Sequence, residues 1–263
     1  DKDFPEKFNK ELLVIHAISL KRSGQIEKAI PVFEKVISLV KKKKLKRRLQ
    51  YILAQLYQNQ NDSKKASDLY KIIAKKATNY DLQFNAKINL ARTYDGSGND
   101  VINILKKMLK DAKNIEYQDQ IYFALAQVYE KQEKQSFAIE NYKLSAKKSV
   151  NNLKQKGKSF LALGDYYFKE PDYLKASNYY DSSLIALPND FPKYEDINAK
   201  KESLKDLVQN LKIVQEQDSL LKIAKMTDKE LAEYIENKIS QAKQMEEEKK
   251  AIEEAKREKA LAN

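Results

Sequence analysis

Apolar residues in this chain recur at three- and four-residue intervals in paired stretches, each pair parted by a short polar turn. The pattern is clearest in Gln50 to Lys76, QYILAQLYQNQNDSKKASDLYKIIAKK. Leu53, Ala54 and Tyr57 form one stripe and Ala66, Leu69, Tyr70 and Ile73 another, on either side of Asn59 to Ser63. Such spacing lines each stripe along one helix face, and the polar residues between them reverse the chain. Ala54 and Ala66 let the helices approach closely, while the Tyr and Leu side chains fill the space around them. This is a helix pair of the tetratricopeptide type, a 34-residue unit with small residues at positions 8, 20 and 27 and large ones at 4, 7, 11 and 24. One hairpin cannot bury its own faces, so copies are expected.

The copies are present. Lys10 to Lys43 carries Leu13, Ala17, Ala29, Phe33 and Val36 at positions 4, 8, 20, 24 and 27, with a Ser23-Gly24-Gln25 turn. Pro31 falls in the first turns of its second helix, where the missing N–H does least harm. The second repeat is Arg47 to Tyr80. The third, Asn85 to Asn114, is degenerate: Ala91 and Tyr94 fit, Gly98 marks the turn, and Asn103 stands where a small residue is expected. Val101, Ile102, Ile104, Leu105, Met108 and Leu109 still mark its second helix. The fourth, Asp119 to Asn152, has Tyr122, Leu125, Ala126, Tyr129, Ala138, Tyr142 and Ser145 in place. The fifth, Gly157 to Asp190, has Phe160, Leu163, Gly164, Tyr167, Ala176, Tyr180, Ser183 and Pro188. Ala66 to Ala138 spans 72 residues, room for two units only if the degenerate copy counts. The fold expected for 1–190 is therefore an all-α tetratricopeptide-repeat (TPR) helical-hairpin solenoid of five pairs.

Beyond the turn-rich Asn189-Asp190-Phe191-Pro192 the pattern changes, and a C-terminal long-helix extension is expected. Tyr194 to Met226 reads as one helix with Leu204, Leu207, Leu211 and Val214 at near-heptad spacing, broken at Asp218 and resumed at Leu221. Segment 191–226 is expected to cap the last repeat and to dock partners, with Asp218, Leu221 and Met226 as candidates. Thr227 and Glu230 form a capping box that starts a further helix, and the charged remainder of 227–263 is expected to be a solvated single helix or partly disordered.

Composition sharpens the function classes. Five Gly and five Pro in 263 residues favour an all-helical chain. No run of 18 apolar residues occurs. The absence of Cys excludes disulfides and thiolate metal sites. The sequence opens at Asp1 without a signal-peptide pattern and ends inside a charged helical pattern, so it reads as a segment of something longer. The net charge is +12, and Met226 to Asn263 holds 8 Lys/Arg against 10 Asp/Glu, so the excess of cations lies upstream. Its densest cluster, Lys41 to Arg48, comes with no groove-reading or base-stacking motif. It is expected to be a solvated helix end and inter-repeat connection, where cations favour a helix C-terminus. No nucleic acid is expected as a partner. His16, the one histidine, takes position 7 and is expected to be a packing residue. Gly96-Ser97-Gly98 has no following Lys-Ser/Thr and reads as a turn. No catalytic, cofactor-binding or metal-ligating residue is assigned, and an enzyme is not expected.

What remains is surface recognition. Positions 2, 5, 9, 12 and 13 of each first helix line the concave groove of such arrays. They are Arg48, Tyr51, Gln55, Gln58 and Asn59 in the second repeat, and Gln120, Phe123, Gln127, Glu130 and Lys131 in the fourth. In the fifth they are Lys158, Leu161, Asp165, Phe168 and Lys169. Aromatic anchors among amides suit a peptide or partner helix laid in the groove. Tyr51 and Gln55 stand where carboxylate-clamping chaperone adaptors have Lys and Asn, which disfavours a co-chaperone.

Four stretches carry a family resemblance: RRLQYILAQLYQ (47–58), TNYDLQFNAKINLAR (78–92), LPNDFPKYEDINAKKESLKDLVQNL (187–211) and QEQDSLLKIAKM (215–226). In this order, and followed by a charged helix, they resemble the PorW/SprE lipoproteins of the type IX secretion and gliding machinery. The resemblance implies a non-catalytic periplasmic component associated with the outer membrane. It would link the periplasmic ring lipoprotein complex to the outer-membrane translocon. It also implies a lipidated N-terminal Cys; this chain has no Cys, so the anchor would lie upstream of Asp1 or be absent. The alternative is a generic TPR adaptor with a peptide or partner helix in its groove.

Overall fold

The computed structural model describes residues 9–97 and 99–261, with side chains at 10–97, 99–247 and 250. Among them the chain forms α-helices, one 3₁₀ turn and no strand. The helices run as successive hairpins: α1 (Asn9–Arg22) with α2 (Ile26–Leu39), α3 (Lys43–Asn59) with α4 (Ser63–Lys76), and α5 (Tyr80–Arg92) with α6 (Asp100–Lys110). After the 3₁₀ turn Ala112–Tyr117 come α7 (Gln118–Lys131) with α8 (Gln135–Lys148) and α9 (Leu153–Lys169) with α10 (Tyr173–Ala186). α11 (Tyr194–Ala224) and α12 (Asp228–Leu261) follow. The chain is an all-α helical-hairpin solenoid with two long helices after it.

The hairpins close for the reason their spacing gives. Ala17, Ala29, Ala54, Ala66, Ala91, Ala126 and Ala176 are wholly buried, so the backbones meet across methyl groups. Gly164 goes further: a Cβ there would stand 2.7 Å from the Tyr180 ring. Tyr70, Tyr142 and Tyr180 fill the core beside these contacts. The α1–α2, α3–α4 and α7–α8 reversals each use a left-handed residue, Gly24 (φ 74°), Asn61 (φ 61°) and Glu133 (φ 59°). Asn and Gly adopt this region readily; Glu does so at a cost in strain. Asp62, Asn79, Asn152 and Asp172 then cap α4, α5, α9 and α10 by accepting a first-turn N–H.

The degenerate repeat has its own solution. α6 turns Val101, Ile102, Leu105 and Met108 inward and leaves Asn103 outside, so no small residue is needed at that position. The 3₁₀ turn then lengthens the link to α7. It is held by Phe84 against Tyr117 (5.1 Å between centroids), by the Tyr80 hydroxyl donating to Asn114, and by Asn114 donating to the Met108 carbonyl at 2.7 Å. The turn placed at Gly98 lies outside the described residues.

Three expectations are corrected. His16 is exposed, whereas its equivalents Leu53, Leu125 and Leu163 are buried. Among the described residues no hairpin packs against the side of α1 that carries His16. Lys43 to Arg48 occupy the N-terminal turns of α3, not a helix C-terminus. The near-heptad stripe of α11 is covered only at its start: Leu204 is buried, while Leu207, Val214 and Leu221 are 42, 54 and 57% exposed. The buried residues, Ile197, Leu204 and Val208, follow the 3.6-residue period of a straight helix.

By contacts the chain divides into two compact units, 1–202 and 203–263. Within the first, the start of α11 is fastened to the last hairpin by ion pairs from Lys200 to Asp165 (2.6 Å) and Lys201 to Asp181 (2.7 Å). In the second, Thr227 and Glu230 form the expected reciprocal capping box at the start of α12.

Candidate functional site

α7 and α9 are the first helices of consecutive repeats, so their matching faces lie side by side. The residues predicted for the groove there do meet. Phe123 and Gln127 of α7 and Lys158, Leu161 and Asp165 of α9 line one cleft of ≈ 520 Å³, with Tyr142 also in the wall. Phe123 rests edge-on against Tyr142, ring centroids 5.3 Å apart, which fixes an aromatic wall. Phe191 and Lys193, from the exit segment before α11, close one side.

Two carboxylates of the cleft are engaged by neighbouring side chains. Glu130 accepts a hydrogen bond from the Tyr142 hydroxyl at 2.8 Å. Asp165 accepts from the Tyr180 hydroxyl at 2.9 Å and from the Lys200 ammonium at 2.6 Å. Burial pulls the Lys158 ammonium below its ordinary pKa, and the Arg92 and Lys154 cations add to the effect. The cleft thus offers an apolar and aromatic centre with a fixed carboxylate and a partly desolvated cation.

The other predicted groove residues are distributed differently. Tyr51 packs edge-on to Tyr70 at 5.7 Å, and its hydroxyl accepts from Asn89 of the next repeat at 2.8 Å, so it joins two hairpins. The Gln58 carbonyl accepts from the Tyr70 hydroxyl at 2.9 Å. Gln55 is half-buried and Asn59 exposed on α3, and Gln120 is half-buried at the start of α7. Phe168 lies against Tyr173 and Tyr180, outside the cleft. Arg48 lines a separate basic cleft at the start of α3. Lys131 is a structural cap: its ammonium donates to the Arg92 and Tyr94 carbonyls, both at 2.8 Å, at the end of α5. Of the extension candidates, Asp218 and Leu221 are exposed and Met226 half-buried.

Sequence reasoning missed the internal partners. Ser145 and Ser183 were read only as small residues; their hydroxyls donate to the Asp119 carbonyl (2.7 Å) and the Gly157 carbonyl (3.0 Å) at the start of their repeats. The signal was the shared spacing of 26 residues in both repeats. Asp119 itself is buried, and its carboxylate accepts from Ser149 and Asn152.

No protein-family model and no curated protein matches this chain. Among solved structures it is similar to the "Assembly Chaperone of RpL4 (Acl4) (Residues 1-338)", with 13% identity and a TM-score of 0.47, covering 91% of this chain and 99% of that one.

Proposed function

We propose that this chain is a non-catalytic protein-interaction scaffold that receives a partner segment in the cleft between α7 and α9. The observation that carries the reading is the meeting of Phe123, Gln127, Lys158, Leu161 and Asp165, from two consecutive repeats, around one cleft of ≈ 520 Å³. An aromatic centre with a polar rim gives a peptide or helix apolar anchorage and a few orienting hydrogen bonds.

The finer reading is a component of the type IX secretion machinery, outer-membrane-associated in the periplasm and linking ring components to the translocon. It is supported by the four stretches quoted above, of which LPNDFPKYEDINAKKESLKDLVQNL and QEQDSLLKIAKM have no counterpart in a general repeat consensus. Under that reading Asp218, Leu221 and Met226 belong to a second docking surface.

Photo-crosslinking tests both levels at once, with a benzophenone residue at Gln127 or Leu161 of the full-length protein in its own cells. Adducts with ring or translocon subunits are the expected result. Adducts with a soluble partner alone would leave the scaffold standing as a generic adaptor and remove the secretion role. Adducts from the 203–263 unit with none from the cleft would overturn the cleft as the docking site.

A further inference from the structure

Every hairpin has a turn end, where its two helices meet, and a link end, where the chain passes to the next hairpin. The hairpins stack, α2 on α3, α4 on α5 and α8 on α9, so within 1–202 the links share one edge and the turns the other. The two edges expose different residues. Among the described residues of α2 to α10, the exposed large aliphatic side chains are Leu39, Ile115, Val150, Leu153 and Ile185, at 39, 64, 55, 59 and 87%. All five lie at the link edge. The exposed aromatics at the turn edge, Phe137 and Phe168, are packed on Tyr129 and on Tyr173 and Tyr180. Charge divides in a similar way. The last turns of α4, α6 and α8 are basic, and the α8–α9 link, KKSVNNLKQK over 147–156, has no acidic residue. Among the described residues Lys147, Lys148, Lys154 and Lys156 make no ion pair. The turns mix signs, as in Asn61-Asp62-Ser63-Lys64 and Lys131-Gln132-Glu133-Lys134. Single exposed aliphatics are ordinary on any surface. Here they are confined to one edge, and four of the five stand within two residues of a lysine, which makes that edge both apolar and cationic.

We propose that the link edge of α6 to α10 rests on an anionic lipid bilayer, with Ile115, Val150, Leu153 and Ile185 entering the headgroup boundary and the nearby lysines held by lipid phosphates. Interfacial binding needs apolar area to bury and cations to meet a negative surface, and this edge carries both. The apolar residues favour a bilayer over a nucleic acid. A phosphate backbone would neutralise the lysines, but bases are held by aromatic stacking, and the side chains set out here are aliphatic. The four residues stand at three successive links, so the matching surface is broader than a single peptide segment. This edge shares no residue with the lining of the α7–α9 cleft, so the two surfaces are tested independently.

The full chain is sedimented with vesicles of phosphatidylcholine alone and of phosphatidylcholine mixed with phosphatidylglycerol. Capture by the anionic vesicles that weakens with salt is expected, with little by the neutral ones. Val150→Ser/Leu153→Ser leaves the charge unchanged and should weaken capture about tenfold or more. Lys147→Gln/Lys148→Gln should also weaken it about tenfold or more. Lys64→Gln/Lys134→Gln, an equal loss of charge at the turn edge, should leave it unchanged. All these side chains are exposed, so the variants should melt as the parent does. The chain has no Trp, so Leu153→Trp supplies a single fluorescent reporter. Its emission should move to the blue on anionic vesicles, and that of Gln60→Trp at the α3–α4 turn should not. Capture indifferent to lipid charge, capture untouched by both link-edge pairs, or no blue shift at Leu153→Trp would overturn the proposal. Binding of duplex DNA without capture by vesicles would overturn it too and assign the edge to nucleic acid.

Discussion

The position-24 tyrosines show what one residue does here. Tyr70, Tyr142 and Tyr180 bury their rings at the hairpin crossings, and each hydroxyl donates to the first helix of its own repeat, at Gln58, Glu130 and Asp165. Burial raises all three phenol pKa values above 10.0, and for Tyr142 and Tyr180 the accepting carboxylate adds to it. The sign follows: a folded-state pKa above the unfolded value gives stability that is present in full below pH 10 and lost as pH rises beyond it. Thermal melts from pH 8 to 11 should therefore fall steeply above pH 10, and Tyr142→Phe should flatten that fall. At neutral pH the same substitution should cost about 0.5–1.5 kcal/mol, since Glu130 is exposed and regains water. The bulk of these tyrosines was legible from spacing; their partners were not, because an acceptor at position 12 or 9 looks like any groove residue. The same blindness made Tyr51 and Phe123 look like free anchors. Both rings lean on a core tyrosine, so Phe123→Ala should lower stability by about 1–2 kcal/mol as well as weaken capture.

At the scale of the helix, closeness decides. A methyl group on Gly164 would press into the Tyr180 ring and the backbones cannot part without losing the neighbouring contacts, so Gly164→Ala should cost about 1–3 kcal/mol in chemical denaturation. Glu133 makes the opposite case. It holds the α7–α8 turn in the left-handed region at φ 59°, so Glu133→Gly should raise the melting temperature, and an unchanged or lower value would refute the strain. The degenerate repeat was legible as a helix pair from its apolar run, but its 3₁₀ link was not. That link depends on Tyr80, Phe84, Asn114 and Tyr117 meeting across a distance no local pattern encodes.

Across the whole molecule, stability is spread over turns and caps. The carboxyls of Asp62, Asp172 and Glu230 sit below their ordinary values, held by the N–H of Lys65, the Lys175 side chain and the N–H of Thr227 respectively. A depressed pKa gives stability that is present above the unfolded value and lost as pH falls below it. Melting should thus hold steady from pH 7 to 5 and decline below about pH 4.5, the ordinary value for Glu. The sequence by itself determined the hairpins, their number, their small and large core positions and the capping box at Thr227, because each follows from spacing within some 34 residues. Tertiary structure alone decided which groove residues share a cleft, that His16 lies open, that α11 buries Ile197, Leu204 and Val208, and that five cations gather at the start of α3. Those outcomes depend on which hairpin stands beside which and at what angle. A one-dimensional pattern fixes the face a side chain leaves from, whereas only the stacking of neighbours fixes what it meets.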